Sequence, residues 1–215
     1  MSPRRAKAVR GRDGDDPAAA LREHLIATAE ALLAERQPVA ITTRDIARTA
    51  GLSDGVLYNY FADKNELLIA ALVRRHVRLV VRFDTDLPSP GAGTVRENLL
   101  TYARAALEMH LDGLPIVAGL LTDPQLLHRF IDELHSDPHG PQLYQQRVIE
   151  YLAAEQRLGR LSAVDVQAAA TLFTGGTMML AMTSLMGGGA GRDLFGELPG
   201  VVDALLTGLE TDTPG

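Results

Sequence analysis

Residues 42–61, TTRDIARTAGLSDGVLYNYF, gather the side chains of this chain best suited to touch a nucleic acid. Two short helical patterns meet there across the turn at 50–53. Ile46, Ala47, Ala50, Leu52, Val56 and Leu57 can close on one another beneath it. Ser53, Asp54, Gly55, Tyr58, Asn59 and Tyr60 remain outside, a small, polar and aromatic surface. A helix of that size fits the major groove of B-DNA, about 12 Å wide. A helix-turn-helix also needs a small residue where its helices cross and a turn residue between them. Ala47 and Gly51, four apart, fill both places. Thr42 and Thr43 sit at a helix N-terminus, where free N–H groups and the helix dipole favour phosphate, and where one of them also serves as the cap. Asp54 and Gly55 are the positions that face base edges. Asp54 can accept from cytosine N4 or simply assist the helix N-terminus. Gly55 costs roughly 1 kcal/mol in a helix relative to Ala, and close approach of the backbone to DNA would be a reason for it.

Other chemistries are poorly served. His128, His135 and His139 stand near Asp132, Glu133 and Asp137, but Pro138 breaks the helix that would align a metal cluster, and no HExxH pattern exists. No GxSxG elbow and no Gly-rich phosphate loop after a strand are present, so an enzyme is not expected and no cofactor is implied. Cysteine is absent, which excludes disulfides and thiolate metal sites and is compatible with a reducing cytoplasm. The longest apolar region, 168–185, is interrupted by four threonines and Gly175-Gly176, and no membrane span is expected. The N-terminus lacks an apolar signal core, which argues for a cytoplasmic protein.

The formal charge of −6 argues at first sight against nucleic acid, but its distribution matters more than its total. Residues 1–12 hold five positive charges and no negative one. Residues 1–67 hold ten of each sign, so all net acidity lies downstream.

These residues need a helical frame. Residues 1–16 read as a mobile basic arm, able to track phosphates or equally to remain a solvated tail. Asp16-Pro17 is a helix start, and Leu21, Leu25, Ile26, Ala29, Leu32 and Leu33 share one face up to about Glu35. Thr42 or Thr43 caps a second helix, Ser53 a third and Asp63 a fourth that runs toward Phe83. Residues 84–93, DTDLPSPGAG, form a loop. Helices follow at about 94–112, 115–121, 123–136 and 142–158. Another, capped by Ser162, runs to about Met186, and a last one occupies 198–209 after the glycine run at 187–191. The expected fold is all-α, with nine or ten helices and no strand.

With these residues laid out, the N-terminal third, about 18–72, resembles the TetR family of transcriptional regulators. The most specific piece is Gly51 to Phe61, GLSDGVLYNYF, followed by DKNELL at 63–68. The family pattern is a glycine, an apolar residue, a serine, two variable positions, an apolar residue, Leu-Tyr-x-(Tyr/His)-Phe and a downstream lysine. Every position is filled in order. The resemblance implies DNA-backbone contacts at Thr42 and Thr43, a base or phosphate contact at Arg44, hydroxyls offered to phosphates by Tyr58 and Tyr60, and a phosphate contact at Lys64. It implies three parts: the arm at 1–16, a three-helix DNA-binding domain at 17–64, and a helical effector-binding and dimerisation domain at 65–215. The function implied is a ligand-responsive regulator, more readily a repressor than an activator, that binds double-stranded DNA as a homodimer. The alternatives are a TetR-like activator or a helical interaction module without a ligand.

Residues 73–215 carry no motif of comparable specificity. The helices at 142–158 and 162–186 are the expected dimer pair, with Leu172, Phe173, Gly176, Met179, Leu180 and Thr183 on adjacent turns. A small-molecule pocket is expected among helices of 94–186, with Tyr102, Met109, His110, Phe130, Phe173, Met178 and Met182 as lining residues. Methionine-rich walls adapt to varied apolar molecules, which hints at a hydrophobic effector.

Overall fold

A computed structural model describes residues 16–187 and 191–209. The arm at 1–15, the middle of the glycine run and the last six residues lie outside the described residues. Eight α-helices and two 3₁₀ turns make up the described fold, with no strand among these residues. Helix α1 (Pro17–Glu35) starts at Asp16, whose carboxylate accepts from the Ala18 N–H at 3.1 Å, and ends where Arg36 turns extended. A short 3₁₀ turn at Pro38–Ala40 leads into α2 (Thr43–Ala50). Gly51 closes α2 in the left-handed conformation (φ 71°), with its N–H on the Ala47 and Arg48 carbonyls. That conformation disfavours any residue with a Cβ.

The expected third helix is a single 3₁₀ turn, Val56–Asn59. Ser53 contributes its backbone carbonyl to the Val56 N–H at 3.0 Å rather than a side-chain cap. The reason is length and composition. About eight residues lie between Leu52 and Phe61, they include Gly55, and a segment so short cannot repay the cost of helix nucleation. Leu57 and Phe61 nevertheless remain buried, so the turn keeps its anchors.

Helix α3 (Lys64–Thr85) is capped by Asp63 and is followed by the loop expected after it. Helix α4 (Val95–Leu120) begins with a capping box between Thr94 and Glu97. Two helices were expected here, and one is found, with Pro115 inside it. An interior proline costs about 3 kcal/mol. Ile116 and Leu120 are buried just beyond it, and each contributes about 1.5–3 kcal/mol by burial, enough to hold the helix together. Helices α5 (Pro124–Ser136) and α6 (Gln142–Arg157) follow. Helix α7 (Val166–Leu185) is capped by Asp165, not Ser162, its carboxylate accepting from the Gln167 and Ala168 N–H groups at 2.9 and 3.2 Å. The Gln156 amide holds the carbonyls of Ser162 and Val164, which fixes that stretch as a connection. Helix α8 (Leu194–Leu209) starts before the expected 198 and carries Pro199 within it.

Three apolar clusters form the core. The first unites α1, α2 and the 3₁₀ turn with Leu67, Leu68 and Ala71 of α3. The second joins Ile69 and Leu72 of α3 to Ile116 and Leu120 of α4 and to Leu126, Phe130 and Leu134 of α5. The third gathers Phe83, Leu99, Tyr102, Tyr144, Tyr151, Phe173 and Leu198, with Phe83 set edge-on to Tyr144 at 5.0 Å. Helix α3 therefore contributes side chains to all three clusters. Arg74 binds Glu23 and Glu30 at 3.0 and 2.9 Å, and Arg78 also reaches Glu30, which fastens α3 to α1. Helix α7, with a mean hydropathy of 1.3, is long and apolar enough to cross a membrane by length and composition alone; here it lies against α4, α6 and α8.

Candidate DNA-contact surface and ligand cavity

Thr42 builds the edge of the helix-turn-helix. Its hydroxyl accepts from the Asp45 N–H at 3.1 Å, while its own N–H and O–H donate to Asp45 Oδ2 at 3.1 and 2.7 Å. The Thr42 donors, reinforced by Arg48 at 2.8 Å and Arg36 at 3.8 Å, hold the Asp45 carboxyl below its usual range. Thr42 is thus the cap, and Thr43 occupies the first helical position beside it. Arg44 projects into solvent and meets Asp54 at 3.5 Å across the turn. Exposed pairs of this kind contribute at most about 1 kcal/mol, so a phosphate can replace Asp54 as the partner of Arg44.

Tyr58 is exposed, whereas Tyr60 is half-buried and packs against the first cluster. Ser53, Asp54 and Gly55 are also exposed. Nothing lies within 4 Å of where a Cβ on Gly55 would stand, so packing does not require this glycine. Lys64 is more constrained than the sequence suggested. Its ammonium donates to the Ile41 carbonyl at 2.8 Å, tying the start of α3 to the entry of α2. An ammonium has three donors, and two remain for a phosphate. His24 joins the same region through Nε2 and the Ala50 carbonyl at 3.0 Å, and Arg22 lies over the Phe61 ring at 5.0 Å.

The second site is a cavity of about 590 Å³ between α3, α4, α5, α6 and α7. Of the seven residues expected to line it, Met109, His110, Phe130 and Met178 do so. Tyr102 and Phe173 do not; both are buried in the third cluster among other aromatic and apolar side chains. Met182 is also absent from the wall, on the α7 turn beyond Met178. The polar residues missed include His76, His135, Tyr144, Gln145, Thr171 and Thr174. A histidine in the middle of an otherwise apolar and basic helix was the available signal for His76. Burial pushes its imidazole pKa down, and pushes that of His110 down to about 4. Tyr144 is anchored by its hydroxyl to Thr177 Oγ1 at 3.0 Å and by an edge contact with the His110 ring.

Helix α5 joins the two sites. Phe130, Ile131 and Leu134 stand in the cavity wall, while the adjacent Arg129 reaches Asp63, the cap of α3, at 3.3 Å. The expected dimer residues divide. Leu172 and Met179 are 70% and 65% exposed, but Leu180 is buried and Gly176 meets Val201 of α8 at 3.0 Å from its ideal Cβ. Thr183 is half-buried, with its hydroxyl on the Met179 carbonyl. Helix α6 turns its apolar residues inward and shows Gln146, Glu150 and Arg157 outside.

A helix-turn-helix unit joined by one shared helix to a helical body with an apolar cavity defines the class of two-part helical regulators. Residues 25–71 match the family model described as bacterial regulatory proteins, tetR family, and residues 116–192 match that of the AefR-like transcriptional repressor C-terminal domain. The chain belongs to the TetR family. It is 33% identical over 86 residues to the HTH-type transcriptional repressor NemR of Escherichia coli K12, which spans 40% of this chain and 43% of that protein. The chain thus covers under half the length of this curated relative. The flavonoid-responsive regulator FrrA superposes with a TM-score of 0.66 at 21% identity, over 91% of this chain and all of that one. FadR of Bacillus subtilis, solved with stearoyl-CoA, superposes with a TM-score of 0.59 at 20% identity, over 87% and 99%. At these identities the two structures establish a shared fold.

Proposed function

We propose that the protein is a transcriptional repressor that binds a pseudo-palindromic operator as a homodimer and releases it when a small apolar effector fills the cavity. Residues 17–64 form the DNA-binding unit, and 65–215 form the effector and dimerisation unit. The observation that carries this reading is the span of α3. It holds Lys64 at the DNA-facing end and His76, Leu79 and Val80 on the cavity wall. Lys64 and His76 stand about 18 Å apart along the axis at 1.5 Å per residue. An effector that favours one placement of α3 over another changes the spacing of the two heads and shifts the population away from the DNA-competent form. Repression rather than activation is supported by the named activity of NemR and by the repressor-type match over 116–192.

The test is selection of duplexes from a random library by the purified chain at stated salt. Recovery of a two-fold site with half-site centres about 34–36 Å apart is expected. Folded protein that retains no duplex at low salt, with or without a cell extract supplying small molecules, would sink the reading.

A further inference from the structure

The cavity wall states what kind of molecule it can hold. Leu79, Val80, Leu114, Val117, Phe130 and Leu134 make most of it apolar, and no lysine, arginine, aspartate or glutamate stands among the described lining residues. A charge brought into such a space would lose its hydration and meet no counter-charge. Most of the polar lining groups already have partners inside the protein. The Tyr144 hydroxyl pairs with Thr177, the Gln145 amide donates to Thr171 Oγ1, the Thr171 hydroxyl donates to the Gln167 carbonyl, that of Thr174 donates to the Thr171 carbonyl, and His135 Nδ1 lies on the Ile131 carbonyl. Two lining atoms stand apart. Nε2 of His76, from α3, and Nε2 of His110, from α4, are buried without a hydrogen-bond partner. The His110 side chain belongs to a residue only 8% exposed. Buried polar atoms are otherwise nearly always paired, so two orphans in one cavity wall mark places where a ligand completes the bonding.

We propose that the effector is an uncharged, largely apolar hydroxyl compound, an alcohol or phenol, whose oxygen completes the hydrogen bonding of His76 Nε2 or His110 Nε2. This rests on the reading of the cavity as the effector site. A hydroxyl is the group that suits the site because it donates and accepts. A neutral imidazole nitrogen is one or the other according to its tautomer, and a hydroxyl satisfies either. The volume lies within the roughly 300–1,000 Å³ of sites for drug-sized molecules. His76 stands on α3 and His110 on α4, so a ligand in this cavity touches both the helix shared by the two units and the body of the larger one.

The test is calorimetric titration of the full chain at neutral pH with matched probes: 4-hexylphenol, hexylbenzene, 4-hexylbenzoate and (4-hexylphenyl)trimethylammonium. We expect 4-hexylphenol to bind about tenfold or more tightly than either charged probe. His76→Phe or His110→Phe, whichever removes the partner of the hydroxyl, should weaken the phenol by up to about tenfold, the span of a single net hydrogen bond, while leaving hexylbenzene within about twofold. His76→Gln and His110→Leu serve as second variants, each checked for helical content and melting. Charged probes that bind as well as the phenol, or phenol binding indifferent to both histidines, would overturn the inference and leave the cavity reading standing. Gly113→Leu, which adds bulk to the α4 wall, separates the two failures. Phenol binding that survives it unchanged, or no binding by any probe, would overturn the cavity reading itself.

Discussion

At the scale of single residues, the DNA-facing surface is built from side chains with two tasks each. Lys64 holds the Ile41 carbonyl and keeps two donors for phosphate. Lys64→Ala should weaken binding to every duplex about equally and lower the magnitude of the salt slope by about 0.9. A gel-shift titration across salt concentrations that returns the wild-type slope would confine Lys64 to its internal bond. Gly55 has room for a Cβ and a helical backbone (φ −77°, ψ −17°). Gly55→Ala should therefore stabilise the fold by about 0.5–1 kcal/mol, or roughly 1–4 °C in melting temperature. A drop in melting temperature would show that the glycine serves the fold itself. His110 supplies a pH dependence. Its folded pKa of about 4 lies below the ordinary 6.5, so its contribution to stability is full above 6.5 and is lost as the pH falls toward 4. The loss amounts to roughly 3 kcal/mol at most, at about 1.4 kcal/mol for each pH unit between the two values. Asp45 and Asp63, whose folded pKa values are depressed, lose their contributions at still lower pH. Denaturant unfolding of His110→Leu should show a flatter profile between pH 6.5 and 4 than the parent, and parallel profiles would show that His110 does not titrate there.

At the scale of elements, α3 and α5 decide how the cavity and the helix-turn-helix communicate. The Arg129–Asp63 pair is exposed on both sides, so its removal should cost less than about 1 kcal/mol of stability. It nevertheless joins the segment that walls the cavity to the cap of α3. Arg129→Ala should reduce the effector-induced change in operator affinity by on the order of 1 kcal/mol while leaving effector affinity nearly intact. The check is operator binding with and without saturating effector, and an unaltered ratio would exclude α5 from the coupling. The same elements show what the sequence could and could not say. Capped helix starts were legible because their chemistry is local: Asp16-Pro17, Thr42 and Asp63 all stand where their types placed them. Pro115 misled because an interior proline is decided by burial of Ile116 and Leu120 on partners remote in sequence. The third helix misled in the opposite way, since its motif was complete but the segment around Gly55 was too short to hold a helix. Most of the cavity wall escaped notice because apolar type marks burial without telling cavity from core: Phe130 lines the space while Phe173, equally buried, does not.

At the scale of the whole molecule, the unpartnered surface of α7 sets the remaining expectation. Leu172, Met179 and Met186 are 70%, 65% and 80% exposed, and Gly175 lies along the same stripe at helical spacing. Beside it, α8 exposes Gly196, Gly200 and Ala204, small residues one turn apart that would admit a second helix closely. We propose that α7 and α8, rather than the α6 and α7 pair expected from sequence, pack against the same helices of a second copy as a four-helix bundle. Leu180 and Gly176 then serve the internal packing of α7, and Leu172 and Met179 the contact between copies. Leu172→Glu and Met179→Glu place a charge at that contact without touching the core. Sedimentation equilibrium should report a monomer for the double variant and a dimer for the parent, with helical content unchanged. Operator affinity should fall with it, because a single head has only one half-site to read. Leu180→Glu, by contrast, should unfold the domain, since it buries an unpaired carboxylate. A double variant that remains dimeric would move the interface off α7. One that becomes monomeric yet keeps full operator affinity would separate dimerisation from DNA recognition.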